Sequence, residues 1–218
     1  MTDRVIRVLL VDDHNVLRQG LRALLASEPG IEVVGEAATG RDAVHKAREL
    51  APDVVVMDIG MPELNGIDAA RQIIAELFGT RVLCLSVHCE KQQVRAMLQA
   101  GADGYLLKTC ARTEFVSAVR SVAAGRTYLS PDIAGDIVRH HVRGQGENRL
   151  CAFSVLSERE REVLQLIAEG HHTKDIADRL GISPKTVLAH RESAMRKIGV
   201  DSVVALTRYA LREGIAEL

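Results

Sequence analysis

The chain has 218 residues, of which 47% are hydrophobic, 26% charged and 3% aromatic, and its formal net charge is −1. That length holds one large domain or two ordinary ones, and the apolar fraction is enough for packed cores rather than a disordered chain. No apolar run reaches the roughly 18 residues needed to span a bilayer, and the charged N-terminus MTDRVIRVLLVDD runs straight into a strand pattern. A cytoplasmic protein without a membrane segment is therefore expected. Basic and acidic residues number 15 and 16 over residues 1–130, 3 and 3 over 131–153, and 10 and 10 over 154–218. Neither half is basic in bulk, so any nucleic-acid contact has to come from a local stripe. The four cysteines, Cys84, Cys89, Cys110 and Cys151, form no CxxC pair and read as small buried or half-buried thiols.

In chain order, apolar strand-like runs fall at residues 5–11, 31–34, 54–57, 82–85 and 105–107. Segments with helical spacing lie between them. Val16, Leu17, Leu21, Leu24 and Leu25 make one helical face, Ala43, Val44, Ala47 and Leu50 a second, and Ile67, Ala70, Ile73, Ile74 and Leu77 a third. Val94, Met97 and Leu98 begin a fourth face, and Phe115, Val116, Val119 and Val122 a fifth. Strict alternation of this kind predicts a parallel sheet with helices on both faces, joined by right-handed crossovers.

The residues at the strand ends carry the chemistry. The first strand ends in Asp12-Asp13, the third in Asp58, the fourth in Ser86 and the fifth in Lys108. With strand order 2-1-3-4-5, the first and third strands flank the switch point, which brings Asp12, Asp13 and Asp58 into one crevice. Carboxylates clustered there repel one another unless a cation shares the site, and oxygen ligands of this number suit Mg2+. Ser86 offers a hydroxyl and Lys108 a point charge, the parts that hold the oxygens of a phosphoryl group. Each residue alone has a plainer explanation as a helix cap, a strand-end filler or a solvated charge, but four such accidents at one sheet edge are a poorer account than one site.

The stretches LLVDDH (9–14), VVMDIGMPELNGID (55–68), LCLSVH (83–88) and GADGYLLK (101–108) resemble the receiver domain of two-component response regulators over residues 1–126. The resemblance implies a flavodoxin-like fold in which Asp58 accepts a phosphoryl group from a histidine kinase. It also implies that Asp13, Asp58 and the Gly60 carbonyl bind Mg2+ directly, with Asp12 acting largely through water. Ser86 would be the switch hydroxyl, Lys108 the phosphate-binding ammonium and Tyr105 an aromatic that moves inward on activation. Val87 stands where many relatives carry a small residue and is expected to narrow access to the acyl phosphate and alter its lifetime; His88, one position on, reads first as an exposed loop histidine and second as a residue lining the same entrance. A haloacid-dehalogenase-like phosphatase also uses an Asp nucleophile and Mg2+, but it wants a second Asp where this chain has Gly60. No separate enzymatic activity is expected beyond the chain's own phosphoryl transfer and dephosphorylation.

Residues 127–153 read as a linker. Ser130-Pro131 is a helix-start signal for a short helix over residues 132–141, and RGQGENR follows as a polar, glycine-bearing tether. His140 and His141 are adjacent and so point to different sides of a helix, which argues against a metal site.

From residue 154 to 218 the pattern is all helical, in four helices. Ser157 and Glu160 form a capping box ahead of Val163, Leu164 and Ile167, and Gly170 stops that helix. A helix over residues 174–180 runs through Gly181-Ile182-Ser183 into one beginning at Pro184, which is a helix-turn-helix signature. The second of these helices carries Lys185, Arg191, Arg196 and Lys197 against Glu192 alone, the local stripe that phosphate contacts require. LSEREREVLQLIAEG, TKDIADRLGISPKTV and HRESAMRKIGV closely resemble the LuxR-type helix-turn-helix, so the whole chain is similar to the NarL/FixJ response regulators. That resemblance implies promoter DNA contacts from Lys185, Thr186, Leu188, Ala189, His190 and Arg191, with support from Thr173 and Lys174. It further implies homodimerisation through residues 203–213 when the protein is phosphorylated or DNA-bound. Leu188, Ala189 and Val203 depart from the residues usual in relatives. The remaining alternatives are a helical half that acts mainly through protein partners, or one that binds DNA independently of phosphorylation.

Overall fold

The computed structural model describes residues 4–87, 91–131, 133–135 and 152–216. Strands and helices alternate as β1 (Ile6–Val11), α1 (Asn15–Ala26), β2 (Ile31–Ala37), α2 (Gly40–Leu50), β3 (Val54–Asp58), α3 (Gly66–Glu76), β4 (Arg81–Ser86), α4 (Lys91–Gln99), β5 (Gly104–Leu107), α5 (Arg112–Ala123) and β6 (Tyr128–Leu129). The C-terminal helices are α6 (Ala152–Val155), α7 (Glu158–Ala168), α8 (Thr173–Leu180), α9 (Pro184–Ile198) and α10 (Val203–Arg212).

All strand pairings are parallel and the order is β2-β1-β3-β4-β5-β6. The expected order of five strands is present, and a sixth strand extends it. Tyr128 and Leu129, which fall in the stretch read as linker, pair with Gly104 and Tyr105. A two-residue strand is too short to register as a hydrophobic period. Of the helix expected over residues 132–141, only 133–135 are described, and they are helical. His140 and His141 lie outside the described residues, as do His88, Cys89 and Cys151. Cys84 is buried in β4 and Cys110 is half-buried, both as free thiols.

Alternating residues of the strands feed two cores. Val8, Leu10, Val54 and Val56 face α1 and α5, burying Leu25, Phe115, Val119 and Val122. Leu9, Val11, Val55 and Met57 face the other way, onto Ala43 and Ala47 of α2, Ile67, Ala70 and Ile73 of α3, and Met97 of α4. This second core continues without a break into the C-terminal helices through Phe153, Leu156, Leu164, Leu206 and Ala210. The helix-turn-helix core proper is smaller: Val163, Leu166, Ile176, Ala177, Leu180 and Val187.

Two glycines fix the loops that frame the site. A Cβ on Gly66, at the first position of α3, would stand 1.8 Å from the carbonyl oxygen of Asp58, and one on Gly40 would stand 2.0 Å from that of Leu64. Only a residue without a side chain lets these backbones approach so closely. α3 itself starts where Asn65 caps it, its side chain accepting from the Asp68 N–H.

Candidate functional site

β1 and β3 are neighbours, with Val11 opposite Met57, so the residues that follow them, Asp12 and Asp58, emerge side by side at the carboxyl edge of the sheet. Both are buried. Lys108, just past β5, reaches across to them, its Nζ 2.6 Å from Asp58 Oδ2 and 2.8 Å from Asp12 Oδ2. The other oxygen of Asp58 accepts from the Ile59 N–H at 2.8 Å. Burial drives the Asp58 carboxyl up and Asp12 adds to the rise, while the Lys108 ammonium and the Ile59 N–H pull it down; it settles at about 6. Burial opposes the charge on Lys108, yet its two carboxylate partners outweigh that and raise its pKa. The site therefore holds more negative charge than its one ammonium can neutralise, which is a setting that suits a divalent cation.

The oxygens of Asp12, Asp13 and Asp58 and a ring nitrogen of His14 lie within 4.8 Å of one another. His14 was not among the expected site residues, although it follows Asp12-Asp13 directly. Its Nδ1 is 2.7 Å from Asp13 Oδ1, and its backbone N–H donates to Asp12 Oδ1 at 2.8 Å. The donor set fits a hard ion held mainly by oxygen, with His14 orienting Asp13. Gly60 follows in the loop after Asp58 and is half-exposed. Ser86 is buried as the last residue of β4, opposite Leu107, and its carbonyl accepts from the Lys108 N–H at 2.7 Å. Tyr105 is wholly buried within β5, so its ring already lies inside. Val87 is exposed immediately beyond Ser86.

On the C-terminal helices, Ser183 caps α9 and Pro184 occupies its first turn. Lys174, Lys185, Leu188 and Ala189 are exposed, while Thr173, Thr186, His190 and Arg191 are half-buried. One member of the basic stripe is already engaged: Lys197 Nζ lies 2.7 Å from Glu160.

A second constellation was not foreseen from the sequence. α7 lies against the β3–α3 loop and α3, with Arg161 and Asp68 meeting at almost zero exposure. Arg161 Nε lies 3.0 and 2.9 Å from the two Asp68 oxygens, another nitrogen donates to the Leu156 carbonyl, and the guanidinium stacks over Phe153 at 5.5 Å. One turn further along, Gln165 donates to the Met61 carbonyl and accepts from the Asn65 N–H, each at 2.8 Å. Glu169 accepts from the Glu63 N–H, and Arg179 pairs with the Glu63 carboxylate. The available signal was the run of large polar residues on α7, which a hydrophobic period cannot assign to a partner.

Residues 8–120 match the response regulator receiver domain family, and residues 154–210 match the bacterial regulatory proteins of the luxR family. The chain belongs to the NarL/FixJ two-component response regulators. It is 40% identical to the response regulator UvrY of Escherichia coli over 211 residues, covering 97% of this chain and 96% of that protein. It is also 40% identical to the transcriptional regulatory protein LiaR of Bacillus subtilis over 208 residues, covering 95% and 98%. Among solved structures, RcsB of Salmonella enterica bound to a promoter in the presence of the phosphomimetic BeF3− is similar with a TM-score of 0.62 and 27% identity, over 94% of this chain and 98% of that one. This response regulator thus combines a receiver with a LuxR-type DNA-binding domain, and no helix among the described residues is long and apolar enough to cross a membrane.

Proposed function

We propose that Asp58 is the phosphoacceptor of this transcription regulator and that its phosphorylation by a partner histidine kinase controls DNA binding by α9. The observation that carries this is the Lys108 ammonium bridging Asp12 and Asp58 at 2.8 and 2.6 Å. An ionised carboxylate needs no general base: as a bond forms from a carboxylate oxygen of Asp58 to phosphorus, the phosphorus–nitrogen bond of the donor breaks and the imidazole keeps the electron pair. Asp12, Asp13, Asp58 and the Gly60 carbonyl would hold Mg2+, which neutralises charge on the transferred group. Lys108 and the Ser86 hydroxyl bind the phosphoryl oxygens that face them, and Tyr105, buried on the neighbouring strand β5, is the switch residue. Lys185, Thr186, Leu188, Ala189, His190 and Arg191, with Thr173 and Lys174, then read promoter DNA as a homodimer in the cytoplasm.

Phosphorylation with a small-molecule donor, followed by mass measurement and DNA titration, tests this assignment. Wild type is expected to gain one phosphoryl group and bind promoter DNA more tightly, and Asp58→Asn to do neither. A mutant that responds as wild type does would overturn the role of Asp58. One observation favours a second reading, in which DNA binding is independent of phosphorylation: Lys185, Leu188 and Ala189 are exposed while the two domains are in contact. Equal DNA affinity of the two forms of the wild type would decide for it.

A further inference from the structure

One face of α9 is turned to solvent. Lys185, Leu188, Ala189, Glu192 and Arg196 are all exposed. At 3.6 residues per turn they fall within about 100° of one another, on the side opposite the buried Val187 and Ala194. The cations on this face are fewer than the sequence suggests. Lys197 is paired with Glu160, and Arg191 is half-buried with its Nε shielded from solvent. Lys185 and Arg196 stand at the two ends of the stripe, about 16 Å apart along the helix axis. That is far enough for their long side chains to reach phosphates on both walls of a major groove about 12 Å wide. Between them lie two apolar side chains and a carboxylate, Leu188, Ala189 and Glu192, spread over roughly 6 Å, close to the rise of two base-pair steps.

A carboxylate carried into a groove walled by phosphates is repelled by them, so Glu192 lowers affinity for DNA in general. That loss is offset only where a base edge donates to it. Cytosine offers its N4 amino group with a non-polar C5 edge beside it. The adenine N6 amino group instead lies between two acceptors, its own N7 and the thymine O4 across the pair, and both repel a carboxylate. Leu188 and Ala189 bring no hydrogen-bonding side chain and favour the apolar group that the groove presents, the thymine C5 methyl. We propose that Glu192 is a specificity-determining residue that reads cytosine, while Leu188 and Ala189 cover thymine methyls within about two base pairs of it. The half-site this chain selects is set as much by exclusion of wrong bases as by attraction to right ones. This rests on α9 being the helix that enters the groove.

The test uses the full chain with beryllofluoride and Mg2+, and a pool of random-sequence duplexes from which bound DNA is recovered and sequenced. Wild type is expected to enrich a motif with cytosine at one position. Glu192→Gln is expected to move that position to adenine, whose N6 and N7 a glutamine amide pairs bidentately, and Glu192→Ala to relax it while binding the unselected pool more tightly. Uracil in place of thymine in the enriched duplex removes only the methyl. It is expected to weaken wild type about 4-fold per methyl contacted, and Leu188→Ala to lose that sensitivity at one thymine. All three side chains are exposed, and a merely structural lesion would lower affinity without changing the preferred base. Identical motifs for wild type and Glu192→Gln, or a wild type indifferent to uracil, would overturn the inference while α9 remains the DNA-binding element. A wild type that enriches no motif overturns it too, and if its DNA affinity is also unchanged by Lys185→Ala, the role of α9 falls with it.

Discussion

Asp58 is destabilised by its own position. Its carboxyl is raised to about 6 by burial and by Asp12, with Lys108 offsetting only part of the rise. An acid whose pKa is higher in the folded than in the unfolded state makes the native protein bind more protons between those values, so its contribution to stability falls as pH rises from about 4 to about 6. Asp58→Asn, in metal-free buffer, is therefore expected to be more stable than wild type at pH 7 by on the order of 1–3 kcal/mol, with the gain vanishing below about pH 4. Urea denaturation at the two pH values checks this; an equal gain at both would show that titration of Asp58 is not the cause. At this scale the sequence was informative because the chemistry sits at strand ends. Asp12, Asp58, Ser86 and Lys108 converge as their strand order requires. His14 was passed over because a histidine beside two aspartates reads as a helix-entry residue until its ring is seen against Asp13.

Among the elements, close approach separates glycines that matter from those that do not. Gly66→Ala would force a methyl into the Asp58 carbonyl, 1.8 Å away, and is expected to cost about 2 kcal/mol or more and to displace Asp58. Gly20, within α1, has nothing within 4 Å of its added Cβ, so Gly20→Ala is expected to stabilise by about 0.5–1 kcal/mol. Thermal melts of the pair check both signs. The periodic helices were legible because each presents one apolar face to the sheet, and the long strands because they are apolar runs buried on both faces. β6 was not, being two residues long. α7 was read only in part: Val163, Leu164 and Ile167 mark its apolar side, but Glu160, Arg161, Glu162 and Gln165 are buried as well. Their burial depends on polar partners elsewhere in the chain, Asp68 and the loop backbone for Arg161 and Gln165, and no local period encodes a distant partner.

For the molecule as a whole, near-neutral charge shifts the burden of DNA binding to a few side chains. Lys185 is exposed on α9, whereas Lys197 is committed to Glu160. Lys185→Ala is expected to weaken DNA binding similarly across sequences and to reduce the slope of log affinity against log salt by about 1, and Lys197→Ala to leave that slope nearly unchanged. A gel-shift series over several salt concentrations measures both. A slope indifferent to Lys185 would remove this residue from the phosphate contacts.

The receiver's sheet ends at Leu129 and the C-terminal helices begin at Ala152. The 22 residues of 130–151 between them span at most about 79 Å when fully extended. Confined within that radius, one domain meets the other at a local concentration on the order of 1 mM. Contacts far too weak to bring two separate proteins together at cellular concentrations can thus keep the halves of this chain closed, and a chemical signal has only a modest attraction to overcome. Cut between the domains, the same surfaces would meet only at their bulk concentration, and a junction held by so few contacts would fall open.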